Sequence, residues 1–90
     1  MEQKVANYTV VIEKEKRTGT NTTCYTAYVP ILGIATEADT IEQVEKEIKS
    51  LIQFHINCLA QERERVPIEA ENSLVTKTRV ELPNNAIIAY

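Results

Sequence analysis

The 90-residue sequence predicts a small α+β domain with the element order β-β-β-α-β, a mostly antiparallel sheet and one helix on one of its faces. Three observations carry this. Residues before Pro30 contain two runs in which apolar or aromatic side chains recur at every second position, the period of a strand with one buried face. The stretch after Asp39 lacks Gly and Pro up to Pro67 and places its apolar residues at helical spacing. A third alternating run follows at 74–82.

The first strand is expected over about 7–13, where Tyr8, Val10 and Ile12 alternate with Thr9 and Val11. Residues 14–21 are charged and then polar, and Gly19 supplies a conformation closed to other residues, so a hairpin loop is expected there. The second strand runs over about 22–29, with Tyr25, Ala27 and Val29 on one face and Cys24, Thr26 and Tyr28 on the other. Pro30 removes a ladder donor and ends it. A short third strand is expected at about 33–37.

Helix signals begin at Asp39 and Thr40, either of which can cap the first turn, with Glu42 or Gln43 three residues on. The helix should run over about 40–63. Ile41, Val44, Ile48, Leu51, Ile52, His55 and Leu59 form its apolar stripe, and Glu42–Lys46 and Glu45–Lys49 pair along the outer face. After a polar link at 65–73, Leu74, Val80 and Leu82 share one face of the fourth expected strand, and Lys77, Arg79 and Glu81 share the other. Residues 84–90 form an unusually apolar tail.

Composition narrows the functional classes. With 43% hydrophobic and 26% charged residues, the chain has the make-up of a globular domain. Its net charge of −3 lacks the basic excess by which proteins neutralise phosphate backbones, so no direct nucleic-acid binding is expected. No apolar run approaches the roughly 20 residues of a membrane span. Met1-Glu2-Gln3-Lys4 is not the start of a secretory leader, which points to the cytoplasm. Cys24 and Cys58 are then free thiols rather than a disulfide, and the sequons at Asn7 and Asn21 are chance matches.

Nothing in the sequence assembles a reaction centre. His55 is the sole histidine and falls within the apolar stripe, so it is expected in the core, bonded to a strand carbonyl, Tyr8 or Tyr25. His55 and Cys58 are too few ligands for a zinc site, and no metal or other cofactor is expected. A Cys24–His55 nucleophilic pair would need the fold to join two distant residues. Glu13, Glu45 and Glu81 are the acids a two-metal nuclease would have to use, and they do not cluster in the sequence. With Gly19 and Gly33 the only glycines, there is no phosphate-cradling loop. Tyr25 and Tyr28 lack the interleaved basic residues of a base-stacking platform. The chain is expected to bind rather than catalyse.

The run Tyr25-Thr-Ala-Tyr-Val-Pro30, the Leu32-Gly33 bend and Ile34-Ala-Thr36-Glu-Ala-Asp39-Thr40-Ile-Glu42 resemble the HicB antitoxin family. Tyr8-Thr-Val-Val-Ile12, Ile52-Gln-Phe-His55, Leu59 and Val66-Pro67 extend the resemblance over about residues 7–68. Ala38 replaces the usual Gly, Val44 the usual Ala, and the Pro30–Gly33 bend is shorter than usual. The resemblance implies a partial RNase H-like fold without nuclease acids. It also implies a partner, a small RNA-cleaving HicA-type toxin whose active site the domain covers. No helix-turn-helix or ribbon-helix-helix segment follows the resembling region in this sequence. The alternative is a stand-alone homo-oligomeric scaffold. The face the helix leaves bare, with Val11, Thr26 and Tyr28, is the expected partner surface, and Ile87, Ile88 and Tyr90 are the expected oligomerisation contacts.

Overall fold

A computed structural model describes residues 4–17, 19–70 and 74–89. Strands β1 (Val11–Lys16), β2 (Thr23–Val29) and β3 (Ile34–Ala38) form an antiparallel sheet in that spatial order, and helix α1 (Ile41–Gln61) packs across one face. This is a small α+β fold of the order β-β-β-α.

Strand parity decides what each face carries. In the registers Ile12–Ala27, Ala27–Thr36, Val29–Ile34 and Tyr25–Ala38, the odd residues of β2 align with the even residues of its neighbours. Ala27, Val29 and Ala38 on that side are buried with Val44 and Ile48 of α1, and Tyr8, Val10, Ile12, Tyr25, Ile34, Leu51 and Ile52 pack around them. The small side chains of Ala27 and Ala38 let the helix approach the sheet closely.

The first strand is displaced from its expected span. Its pairing starts at Val11, opposite Tyr28, and because β2 stops at Val29, residues 7–9 have no position on β2 to pair with. It continues through Lys16, opposite Thr23, so the charged residues read as loop belong to the ladder. The loop itself is short: the Arg17 amide donates to the Thr22 carbonyl (3.0 Å) and the Thr20 amide to the Arg17 carbonyl (3.1 Å), with Gly19 at φ 78°. Between β2 and β3 the chain reverses at Pro30–Gly33, where the Gly33 amide donates to the Val29 carbonyl (2.8 Å) and Gly33 takes φ 66°.

Thr40, not Asp39, caps α1, its hydroxyl accepting from the Gln43 amide at 3.1 Å. At the other end the Glu64 amide donates to the Leu59 carbonyl (2.9 Å) and the Arg63 amide to the Ala60 carbonyl (3.1 Å). This is a Schellman closure, with Arg63 in the left-handed position at φ 57°. The helix is about 30 Å long, whereas the strands span only about 20 Å. Its last turns therefore overhang the sheet. His55 is half-buried there, outside the core cluster, and among the described residues it bonds neither a strand carbonyl nor Tyr8 or Tyr25. The expected core histidine is a partly covered one, because the sheet is too short to reach it.

Beyond the helix, the link turns back to the start of the first strand. The Glu69 carboxylate accepts from the Thr9 amide (2.6 Å) and the Thr9 hydroxyl (2.8 Å), and the Tyr8 hydroxyl donates to the Pro67 carbonyl (2.6 Å). Partial burial and the neighbouring Glu69 carboxylate raise the Tyr8 phenol above its ordinary range. The fourth expected strand does not form in this chain. Residues 74–83 pair with none of the three strands, and among the described residues the hydrogen bonds of 74–89 stay local, as from Ala86 to Pro83. Leu74, Val75, Val80 and Leu82 are 61–85% exposed. This extended arm explains a radius of gyration of 17.2 Å, against about 12 Å for a compact chain of this length.

Ile48→Ala should lower unfolding stability by about 2–4 kcal/mol, and Thr40→Ala by about 1 kcal/mol, both read from urea midpoints. Thr40→Ser should retain most of the cap. Equal costs for Thr40→Ser and Thr40→Ala would contradict the assigned cap.

Candidate functional site

Among the described residues, no element packs over the face opposite α1. Val11 and Tyr28 are directly paired across β1 and β2, and they remain 39% and 47% exposed. Thr26 lies two residues along the same face, its hydroxyl 3.5 Å from the Glu13 carbonyl. The structure thus brings together the three side chains expected to form the partner surface. Ile87 and Ile88 of the tail are 98% and 54% exposed, and Tyr90 lies outside the described residues.

Parity adds residues that the reading of the sequence passed over. Glu13 and Glu15 share Val11's face of β1, and Glu37 shares that face from β3 through its pairing with Thr26. The period-2 rule that selected Val11 selects Glu13 and Glu15 as well. The exposed face therefore has an apolar and hydroxyl centre between carboxylates. Glu45, in contrast, belongs to the helix on the other side of the sheet, so Glu13 and Glu45 do not converge. Among the described residues, no group of three or more His, Cys, Asp or Glu side chains is placed to hold a metal ion.

One end of this face is sealed. Arg17 reaches diagonally across β2, its Nη2 donating to Asp39 Oδ1 at 2.7 Å and its Nε lying 3.9 Å from Glu37 Oε1. Beneath it Cys24 is only 2% exposed, its Sγ 3.8 Å from Glu37 Oε2. Burial raises the Cys24 thiol pKa above its ordinary value. Glu37 and Glu15 add to the rise, and Arg17 opposes it. Arg17 is best described as a cover, because exposed ion pairs of this kind contribute little to stability. Both cysteines are free, and Cys58 is the more accessible.

A groove of about 960 Å³ lies between α1 and the segment that leads into β1, with Val5, Val10, Ile12, Ile48, Ile52 and Ile68 among its walls. At Ile12 the groove meets β1, the edge strand of the sheet, whose outer side pairs with no other strand among the described residues. No helix among the described residues is long and apolar enough to cross a membrane.

At neutral pH, alkylation resolved by mass spectrometry should modify Cys58 well before Cys24. Arg17→Ala should accelerate Cys24 several-fold by uncovering it, although losing the cation alone would slow it. An unchanged Cys24 rate would contradict the cover.

No protein-family model and no solved structure matches the chain. It is 35% identical over 68 residues to the UPF0150 protein ssr1765 of Synechocystis sp., across 74% of this chain and 80% of that protein. At that identity and coverage, this chain belongs to the UPF0150 family.

Proposed function

We propose that the chain is a HicB-like antitoxin-type binding domain, not an enzyme, acting in the cytoplasm. On this reading it neutralises a small, basic, RNA-cleaving HicA-type toxin by covering the toxin's active site. The observation that carries the reading is the uncovered sheet face, where Val11, Thr26 and Tyr28 lie among Glu13, Glu15 and Glu37. An apolar centre supplies contact area, and a carboxylate surround favours a cationic partner and disfavours phosphate. The Tyr25–Glu42 segment that resembles HicB proteins supplies most of β2, all of β3 and the start of α1, and hence the middle of this face.

The alternative is a homo-oligomeric scaffold without a toxin partner. The exposed arm and tail favour it, since Leu74, Val80, Leu82 and Ile87 present apolar surface that a monomer leaves in water.

Co-expression with a toxin encoded beside this chain should restore growth and yield a complex. Val11→Arg combined with Thr26→Arg should weaken that complex at least about tenfold, a loss of about 1.4 kcal/mol, with helix content unchanged by circular dichroism. Phe54→Arg, on the exposed side of α1, should leave it intact. Rescue that survives the sheet-face change, or is lost with Phe54→Arg, would refute the assigned surface.

A further inference from the structure

We propose that residues 74–82 are a strand donated to the β1 edge of a second copy of this chain, in antiparallel register. This goes beyond the toxin reading and does not depend on it: the two share Glu13 and Glu15, but strand exchange is read from self-association without any toxin.

The arm has the pattern of a strand buried on one side, yet this chain buries neither side. Leu74, Thr76, Thr78, Val80 and Leu82 have one parity, and Val75, Lys77, Arg79 and Glu81 the other. The β1 edge has the matching division. Val10 and Ile12 face the apolar groove under α1, and Glu13 and Glu15 face the opposite side. One antiparallel register satisfies both sides together. It sets Val80 beside Ile12, Leu82 beside Val10, Lys77 beside Glu15 and Arg79 beside Glu13. Val80 and Leu82 then enter the groove at its Val10–Ile12 end, and each basic residue meets a carboxylate across the new strand pair. The parallel register that also joins Lys77 and Arg79 to glutamates keeps Leu74 beside Val10 but sets Thr76 against Ile12 and Val80 against Lys16, so Val80 and Leu82 gain no apolar partner.

The chain's own arm is poorly placed to make this pairing. Glu69 is held on Thr9, at the start of the first strand. To enter the antiparallel register, Lys77 would have to lie beside Glu15, about 20 Å further along the strand, and the chain would have to have reversed direction. Glu69 to Lys77 spans at most about 27 Å when straight, and a reversal consumes what remains. A second copy has no such restriction. Exchange between two copies gives each sheet a fourth strand and covers each exposed β1 edge.

Charge reversal in trans tests this with the full chain. The wild type should be a dimer by light scattering at low salt. Lys77→Glu with Arg79→Glu should weaken association at least about tenfold, and so should Glu13→Lys with Glu15→Lys. Mixing the two variants should restore the dimer, since each basic arm then meets an acidic edge and each acidic arm a basic edge. As a second reading, chains carrying Ile12→Cys are mixed with chains carrying Val80→Cys, both in a Cys24→Ala, Cys58→Ala background. They should form a mixed disulfide under mild oxidation, because paired strands hold these positions at disulfide range. A monomeric wild type, variants that stay dimeric alone, or a mixture that forms neither dimer nor mixed disulfide would overturn the proposal.

Discussion

The seating of Val44 and Ile48 on Ala27 and Val29 is the contact on which the rest of the structure depends. These four residues are at most 3% exposed and, with Ala38, make up the buried core cluster. A core so small leaves little margin, because domains of this size are stable by only several kcal/mol. It also breaks the symmetry of the sheet. Once α1 occupies the Ala27–Val29 side, Val11, Thr26 and Tyr28 must face away from it. Since the helix crosses mainly over β2 and β3, the groove beside the segment that leads into β1 stays open.

Both functional proposals follow from that asymmetry, and they meet at the same carboxylates. Glu13 and Glu15 border the face assigned to a basic toxin, and they also face Lys77 and Arg79 in the exchanged strand. Strand exchange would neutralise part of the acidic surround while leaving Val11, Thr26 and Tyr28 in place. Toxin capture and self-assembly would then be linked through charge and respond together to ionic strength.

The fold was legible where local chemistry and tertiary packing agree. The alternation of Tyr25, Ala27 and Val29, the Pro30 stop and the Thr40 cap all follow from period, ring geometry and side-chain acceptors, and each appears in the structure. Boundaries set by a partner strand were less legible. Residues 7–9 have strand chemistry but no partner on β2, while Lys14 to Lys16 read as loop and are held in the ladder by β2. His55 illustrates the same limit, since periodicity gives its direction from the helix axis but not how far the sheet extends beneath it. The alternation at 74–82 has the period of a strand, but a strand also needs a neighbour to pair with, and none of the three strands pairs with it. The Glu69 carboxylate on Thr9 had no local signal at all, because it joins residues 60 positions apart.

The central claim is that the face opposite α1, rather than the helix, is the working surface. Hydroxyl-radical footprinting of the free chain and of its complex with the co-purified toxin tests this most directly. Both Tyr28 and Phe54 are exposed in the free chain, so both should react there. In the complex, Tyr28 and Val11 should be protected and Phe54 should react as before. Protection of Phe54 with Tyr28 unchanged would contradict the account.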